Sequence, residues 1–143
     1  MLEFEVKAVV DDPDSLEQDS TVYLFNKEQG ILLPIKMHTF SATHILDAHA
    51  RPIEPRPHVH NTIIRIISAL RAEIDSILIY SYQDNIFYSY IRLRRETDFM
   101  DIDARPSDAI SIALRHKVPV FVKKDVCESA GIKVTKELLK SYI

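Results

Sequence analysis

Residues 100–110 constrain the fold more than any other part of the chain, because they specify the end of a strand and the start of a helix. Asp101 and Asp103 alternate with apolar residues, which is typical of a β-strand with one polar and one apolar face. The two acids should therefore share a face, roughly 7 Å apart, and the apolar face should carry Met100, Ile102 and Ala104. Pro106 then suits the first position of a helix, where its missing N–H costs no hydrogen bond.

Charge is concentrated at this junction, where three carboxylates and one guanidinium fall within eight residues: Asp101, Asp103, Arg105 and Asp108. Such a group can bind a divalent cation, position a water or contact a phosphate. A structural role is equally consistent with the spacing. Asp108 falls in the first helical turn, where an acid offsets the helix dipole, and Asp101 or Asp103 can pair with Arg105. Spacing alone leaves both interpretations open.

The rest of the chain alternates between strand patterns and helix patterns. Strands are predicted at residues 4–9, 22–25, 33–36, 75–82, 86–95 and 100–103, and helices at 40–50, from 106, at 125–130 and at 135–142. A core-facing helix is predicted from the apolar stripe Ile63, Ile64, Ile67 and Leu70. Residues 51–57 hold three prolines and should run extended. Interspersed elements with several hairpins predict an α+β fold, in which helices pack on a mixed, mainly antiparallel sheet.

The two halves of the chain have the same predicted order of secondary-structure elements. Each half has a strand, a turn, a second strand and then a helix, and a constant offset pairs Ile35 with Ile102, His38 with Arg105, Ser41 with Asp108 and Ala42 with Ala109. This pattern indicates an internal duplication of a hairpin–strand–helix unit. It predicts that the two halves superpose, with Ile35 and Ile102 in equivalent core positions.

Composition predicts a single domain over residues 1–143, since 46% of the residues are hydrophobic. No apolar run is long enough for a membrane span, and Met1–Glu5 does not resemble a signal peptide, so a cytoplasmic protein is expected. Cys127 is the only cysteine and cannot form an internal disulfide. The net charge of −3 means that any contact with nucleic acid needs a local basic patch or a bridging cation.

Two groups of side chains have more than one interpretation. Tyr88, Tyr90, Arg92 and Arg94 should share one strand face, which could contact another copy of the chain, nucleic acid or only solvent; the opposite face should carry Phe87, Ser89, Ile91 and Leu93. His58 and His60 form an H-x-H pair that could bind Zn²⁺ if His38 or His44 came near. Gly-rich phosphate loops and a serine nucleophile elbow are absent from the sequence.

The run from Asp101 to Arg115, DIDARPSDAISIALR, followed by Val118–Val122, is similar to the signature of the bifunctional nuclease domain family. Some members of that family are described as degrading both RNA and DNA. The resemblance covers nearly the whole chain, since it extends to Leu33-Pro34-Ile35, Pro55-Arg56-Pro57, His60 and Ala130-Gly131-Ile132.

Two positions depart from the family pattern. Ser41 stands where the family has a Glu that opens a helix, and Asn61 replaces the acid of a Thr-His-Asp triplet whose His is kept as His60. An amide cannot act as a general base and is a weaker cation ligand than a carboxylate.

Two function classes follow from these residues. In the first, the protein is a nuclease acting on RNA or DNA: Asp101, Asp103 and Asp108 hold Mg²⁺ or Mn²⁺, His60 assists proton transfer, and Arg105 stabilises charge on the phosphoryl oxygens. In the second, it is a non-catalytic, oligomeric binding or regulatory module, and the carboxylates only tie the strand to the helix. A homo-oligomer, most simply a dimer, is expected in either class.

Overall fold

The computed structural model describes residues 1–50 and 58–134. Within these residues the elements are, in chain order, β1 (Leu2–Asp11), β2 (Asp19–Asn26), β3 (Ile31–His38), α1 (Thr39–Ala50), α2 (Val59–Ala69), β4 (Glu73–Gln83), β5 (Ile86–Arg95), β6 (Asp98–Ala104), α3 (Pro106–His116), β7 (Val120–Val122), α4 (Lys124–Ala130) and β8 (Ile132–Lys133). The segment 51–57 and the helix predicted at 135–142 lie outside the described residues.

The strands form one sheet in the order β6-β5-β4-β7-β1-β2-β3-β8. All neighbouring pairs run antiparallel except β4 and β7, which are parallel. The predicted α+β class and the mainly antiparallel sheet are therefore confirmed. None of the described helices is long and apolar enough to span a membrane.

The hairpin between β4 and β5 shows how local sequence sets the register. Asp84 and Asn85 form its two-residue turn and have φ values of 52° and 65°. Positive φ at both central positions is the geometry that matches the twist of adjacent strands, and Asp and Asn tolerate it better than most residues. The strands predicted at 75–82 and 86–95 are therefore confirmed as the two arms of a hairpin.

Helix α3 lies at the centre of the core and contacts α1, α2, β4 and β5. Its apolar side chains are almost fully buried: Ala109, Ile110, Ile112 and Ala113. They belong to the same cluster as alternate residues of the central strands, among them Leu24, Leu33, Ile77, Ile79 and Val122. Because α3 follows directly on β6, this packing fixes where the charged junction lies.

Helix α2 is less buried than α3. The predicted stripe is confirmed for Ile63, Ile64 and Ile67, which pack partly buried against the core. It is wrong for Leu70, which is 63% exposed. The reason is that α2 ends at Ala69, and Leu70 is its C-cap rather than a further turn.

Each half of the chain is a three-stranded antiparallel unit followed by a helix: β1–β2–β3–α1 and β4–β5–β6–α3. Ile35 and Ile102 lie in the third strand of their units, but Ile35 is 2% exposed and Ile102 48%. The prediction of a core position for Ile102 is wrong, because β6 is the edge strand of the sheet. The duplication as such stays a prediction.

Gly131 ends α4 with a φ of −75°, so the glycine is not required by a left-handed backbone. A Cβ at this position would lie 2.4 Å from the carbonyl oxygen of Cys127 and 2.8 Å from Cγ2 of Ile31. We expect Gly131→Ala to lower the free energy of unfolding by about 1–3 kcal/mol, as overpacking does. Urea denaturation would measure this, with the exposed Glu128→Ala in the same helix as control. A cost equal to that of the control would contradict the packing argument.

Candidate functional site

The junction of β6 and α3 has the geometry that its sequence predicts. Asp101 and Asp103 lie opposite Arg92 and Tyr90 of β5, on the face away from the buried Ser89 of β5. The prediction that the two acids share a face is confirmed. Pro106 is the first residue of α3, and Arg105 is its N-cap.

On this face, both acids have partners. Arg92 donates from Nε and Nη2 to the two carboxylate oxygens of Asp101, at 2.9 and 3.2 Å. The Tyr80 hydroxyl donates to Oδ1 of Asp103 at 3.2 Å. Partial burial and this bond to Asp103 raise the pKa of Tyr80, so the phenol keeps its proton and remains a donor at neutral pH.

Asp108 lies on the helix side of the junction. His60 Nε2 is 3.0 Å from its Oδ1, and Arg105 Nε donates to its Oδ2 at 3.0 Å. His60 comes from the first turn of α2, so a residue from a distant part of the sequence joins the neighbouring Arg105 at the Asp108 carboxylate. The exposed fractions of the side chains differ, 3% for His60 and 36% for Asp108. Asp108 is therefore the member of the pair that faces solvent.

The predicted three-carboxylate metal site is not assembled. Asp101 and Asp103 point away from the helix side, where Asp108 is bound by His60 and Arg105. Among the described residues, no three His, Cys, Asp or Glu side chains are grouped so that they could hold a metal ion. The physical reason is that strand alternation places both strand acids on the face opposite to the one that α3 covers. Cation binding itself stays a prediction.

The electrostatics of the His60–Asp108 pair favour an ionised acid beside a neutral base. Burial lowers the pKa of His60 below its ordinary value and outweighs the hydrogen bond and charge of Asp108; the charges of His44 and Arg115 lower it further. Burial alone would raise the pKa of Asp108, but hydrogen bonds from His60 and Arg105 hold it below the usual value. At neutral pH the proton shared by the pair therefore resides on His60.

The histidines form a hydrogen-bonded chain rather than a metal centre. His44 Nδ1 lies 2.8 Å from Nε2 of His58, and His58 Nδ1 lies 3.1 Å from Nδ1 of His60. Because His58 uses a different nitrogen for each neighbour, the three rings do not converge on one point as zinc ligands do. His58 Nδ1 also accepts the backbone N–H of His60 at 3.3 Å, so a neutral His58 carries its proton on Nε2 and donates it to His44 Nδ1. Hydrogen-bond donation therefore runs from the His60 backbone to His58 and from His58 to His44, away from the His60–Asp108 pair.

A cleft of about 800 Å³ opens where β3 runs into α1 and β6 runs into α3. Residues from both halves line it, including Lys36, His38, Ser41, Tyr80, Tyr88, Asp103, Arg105 and Ser107. Arg105 connects the cleft to the His60–Asp108 pair, because its guanidinium lines the wall and binds Asp108. Ser41, which replaces the acid expected from the family pattern, lies in the same wall.

The Tyr- and Arg-rich face of β5 is confirmed as a face, since Ser89 and Ile91 of the alternate set are buried. Its charge is largely neutralised: Arg92 pairs with Asp101, and Arg94 pairs with Glu73. A face whose guanidinium groups are already paired is a weak electrostatic footprint for nucleic acid.

Sequence reasoning missed Tyr80 and the cleft. Tyr80 lies at a register shift between Ile79 and Ser81, where simple alternation does not predict which face a side chain occupies. The cleft joins elements that are far apart in sequence, so spacing carries no signal for it. The H-x-H spacing of His58 and His60 was the available signal for the histidine chain.

The lowered pKa of His60 predicts how stability depends on pH. In the unfolded chain His60 takes up a proton near its ordinary pKa of 6.5, but in the folded protein only at lower pH. The stability associated with this group is therefore present above pH 6.5 and lost as the pH falls toward its folded pKa. Chemical denaturation at a series of pH values should show a smaller loss for His60→Gln than for the wild type. Equal losses would contradict a buried neutral His60.

Comparison with known proteins gives a consistent result. Residues 22–135 match the model of the family described as Bifunctional nuclease domain. An uncharacterized protein of Mycobacterium tuberculosis is 31% identical over 121 residues, covering 84% of this chain and 72% of that protein. Bifunctional nuclease 1 of Oryza sativa subsp. indica is 27% identical over 124 residues, and Bifunctional nuclease 2 of Arabidopsis thaliana 25% over 125. Each plant match covers 85% of this chain but 38% of the plant protein.

Proposed function

The chain belongs to the bifunctional nuclease domain family, and from that premise we propose that it hydrolyses phosphodiester bonds of RNA or DNA. The observation that carries the proposal is the His60–Asp108–Arg105 unit, which combines a buried base, an exposed carboxylate and a guanidinium at the wall of a cleft. The names of the plant relatives support the same reaction class.

In this proposal the cleft holds the phosphodiester and Arg105 contacts its oxygens. A guanidinium placed there stabilises the negative charge that builds on the phosphoryl group as a water attacks phosphorus. Lys36 and His38 line the same cleft and would contact neighbouring phosphates, while Tyr80 and Tyr88 offer rings on which bases can stack.

The leaving oxygen needs a proton when the bond from phosphorus to oxygen breaks. We propose that water in the cleft supplies this proton, because the neutral His60 would become an imidazolate if it gave up its single ring proton. The attacking water loses its own proton to the carboxylate of Asp108, the member of the pair that faces solvent. The low pKa of Asp108 keeps its carboxylate ionised at neutral pH, so it can orient the water, accept the proton and release it to solvent. His60 assists this proton transfer by donating from Nε2 to Asp108, which holds the carboxylate in place.

Cation assistance is part of the proposal, with Asp103 as the ligand that lines the cleft. One carboxylate is enough for Mg²⁺ when substrate phosphate oxygens and waters complete its coordination. A cation bound in this way would supply Lewis-acid chemistry and lower the pKa of a bound water. Asp101 is outside this set, because its two oxygens are bound by Arg92.

A second candidate is a non-catalytic module, and one observation favours it: Asp108 holds His60, the only buried side chain of α2 within the described part of the chain. In that role the pair would fasten α2 to α3. The two candidates make opposite predictions for substitutions that leave the fold intact.

The nuclease proposal predicts cleavage of single-stranded RNA or DNA in the presence of Mg²⁺ or Mn²⁺. Asp108→Asn should lower the rate by about 10²–10⁴-fold, as loss of a proton-transfer group does. His60→Gln should lower it less, because it removes only the imidazole that holds Asp108 in place, and Asp103→Asn or chelation should abolish cation-dependent cutting. A matched control is Asp125→Asn, which removes an acid from the first turn of α4. Gel assays would measure the rates, and circular dichroism would check folding.

Intact substrate after long incubation with either cation would overturn the nuclease proposal. If Asp108→Asn then also lowered the free energy of unfolding by about 1–2 kcal/mol, the fastening role would be supported. Cutting that survives all three substitutions would also contradict the assignment, because the activity would arise elsewhere.

We also propose that the protein forms a homodimer through β6. This edge strand has its outer side unpaired among the described residues and exposes Phe99, Met100 and Ile102 by 39–57%. An exposed, apolar edge of this length pairs readily with a second copy. Light scattering at tens of micromolar should give a dimer for the wild type and a monomer for Ile102→Lys. A monomeric wild type would contradict this proposal.

A further inference from the structure

Arg115 is a buried charge without a visible counterion. Its side chain lies near the C-terminal end of α3 and is 8% exposed. Its Nε, Nη1 and Nη2 atoms are all shielded from solvent, and none has a hydrogen-bond partner among the residues that the structure describes. An unpaired guanidinium is among the most costly groups to bury, because it loses its hydration and gains no interaction in return.

A second unpartnered group lies on the same face of α3. The hydroxyl of Ser111 is also buried and has no hydrogen-bond partner in the described part of the chain. Ser111 and Arg115 are four residues apart, so their side chains are neighbours on the helix surface. The guanidinium and the hydroxyl therefore offer several hydrogen-bond donors in one place, and none of the described residues provides an acceptor for them.

The nearby groups among residues 1–50 and 58–134 do not supply the missing acceptor. Asp108 lies on the same face of α3, seven residues before Arg115, but both of its oxygens are taken by His60 and Arg105. His60 is close enough that the charge of Arg115 lowers its pKa, yet an imidazole is not a counterion. The buried charge of Arg115 therefore still needs an anion to neutralise it.

We propose that Arg115 and Ser111 form an internal site for a phosphate-class oxyanion, separate from the proposed nuclease centre. Phosphate suits this donor set because its tetrahedral oxygens can accept two parallel bonds from the guanidinium and a further bond from the hydroxyl. The inference stands without nuclease activity, since it rests on the unpaired donors alone.

We place the route to the site at α2, because its His60 is close enough to Arg115 to be affected by the charge of Arg115. This helix packs on α3, and its only buried side chain within the described residues is His60. An element held by so few buried contacts opens at low cost compared with the core strands. On the same helix α3, Ser107 lines the cleft one turn before Ser111, so the cleft offers a route toward the site.

The experiment measures thermal unfolding of the intact protein at constant pH and ionic strength in chloride, in acetate and in inorganic phosphate. At a phosphate concentration a hundredfold above its Kd, the wild-type Tm should rise by about 5 °C or more. Acetate controls for oxyanions in general. A nucleoside monophosphate in place of phosphate distinguishes a free anion from one carried on a nucleotide, and stabilisation by either supports the site.

Substitutions assign the effect to the site, because phosphate also stabilises proteins without binding specifically. Arg115→Met removes the buried charge but keeps the volume, so it should raise the Tm in chloride and lose the specific response to phosphate. Ser111→Ala should weaken phosphate binding roughly 2- to 10-fold. The control is Arg65→Met, an exposed arginine on α2, which should respond to phosphate as the wild type does.

A second measurement follows the Arg115 Nε–H resonance by NMR during phosphate titration, and a saturable shift is expected. The proposal is overturned if Arg115→Met responds to phosphate as strongly as the wild type, if acetate stabilises as much as phosphate, or if the Arg115 resonance does not shift. A destabilised Arg115→Met together with an unresponsive wild type would also overturn it.

Discussion

The partly buried hydrogen bond between His60 and Asp108 joins the only deeply buried side chain among the described residues of α2 to the first turn of α3. Most other features of the site depend on it. It fixes α2 against the core, holds the Asp108 carboxylate toward Arg105, and keeps a neutral imidazole beside an ionised acid. Burial makes this possible, since removing water from His60 lowers its pKa more than the nearby carboxylate raises it. A pair tuned in this way is suited to moving a proton.

The junction of β6 and α3 distributes its acids over two environments. Asp101 and Asp103 lie on the face that carries Tyr90 and Arg92, and each is bound by a neighbouring side chain. Asp108 lies on the side of the sheet where α3 packs. The cleft reaches only part of this group, because it is lined by Asp103 and Arg105. A reaction at this site would therefore depend on one strand acid and one helix acid in different roles, rather than on a cluster of equivalent carboxylates.

The unpaired charge of Arg115 lies in the interior of the protein and acts on the His60–Asp108 pair. Ser111 and Arg115 lie on the same face of α3 as Asp108. Their hydrogen-bond donors have no acceptor among the described residues. The charge of Arg115 also contributes to the low pKa of His60. Any anion bound at Arg115 would thus change the electrostatic environment of the pair that the nuclease proposal uses, because charges in a medium of low dielectric constant act over longer distances than in water.

Sequence alone determined the features that depend on short-range geometry. The period of two in β6, the proline that starts α3 and the Asp84-Asn85 turn all act within a few residues, and each is present in the structure. Sequence also placed the chain in its family through the run from Asp101 to Arg115. Only the tertiary structure decided that Asp108 meets His60, that Ile102 lies at an exposed edge and that Arg115 is buried without a partner. These outcomes depend on which elements become neighbours in the sheet and core, and local spacing carries no information about neighbours that are distant in the chain.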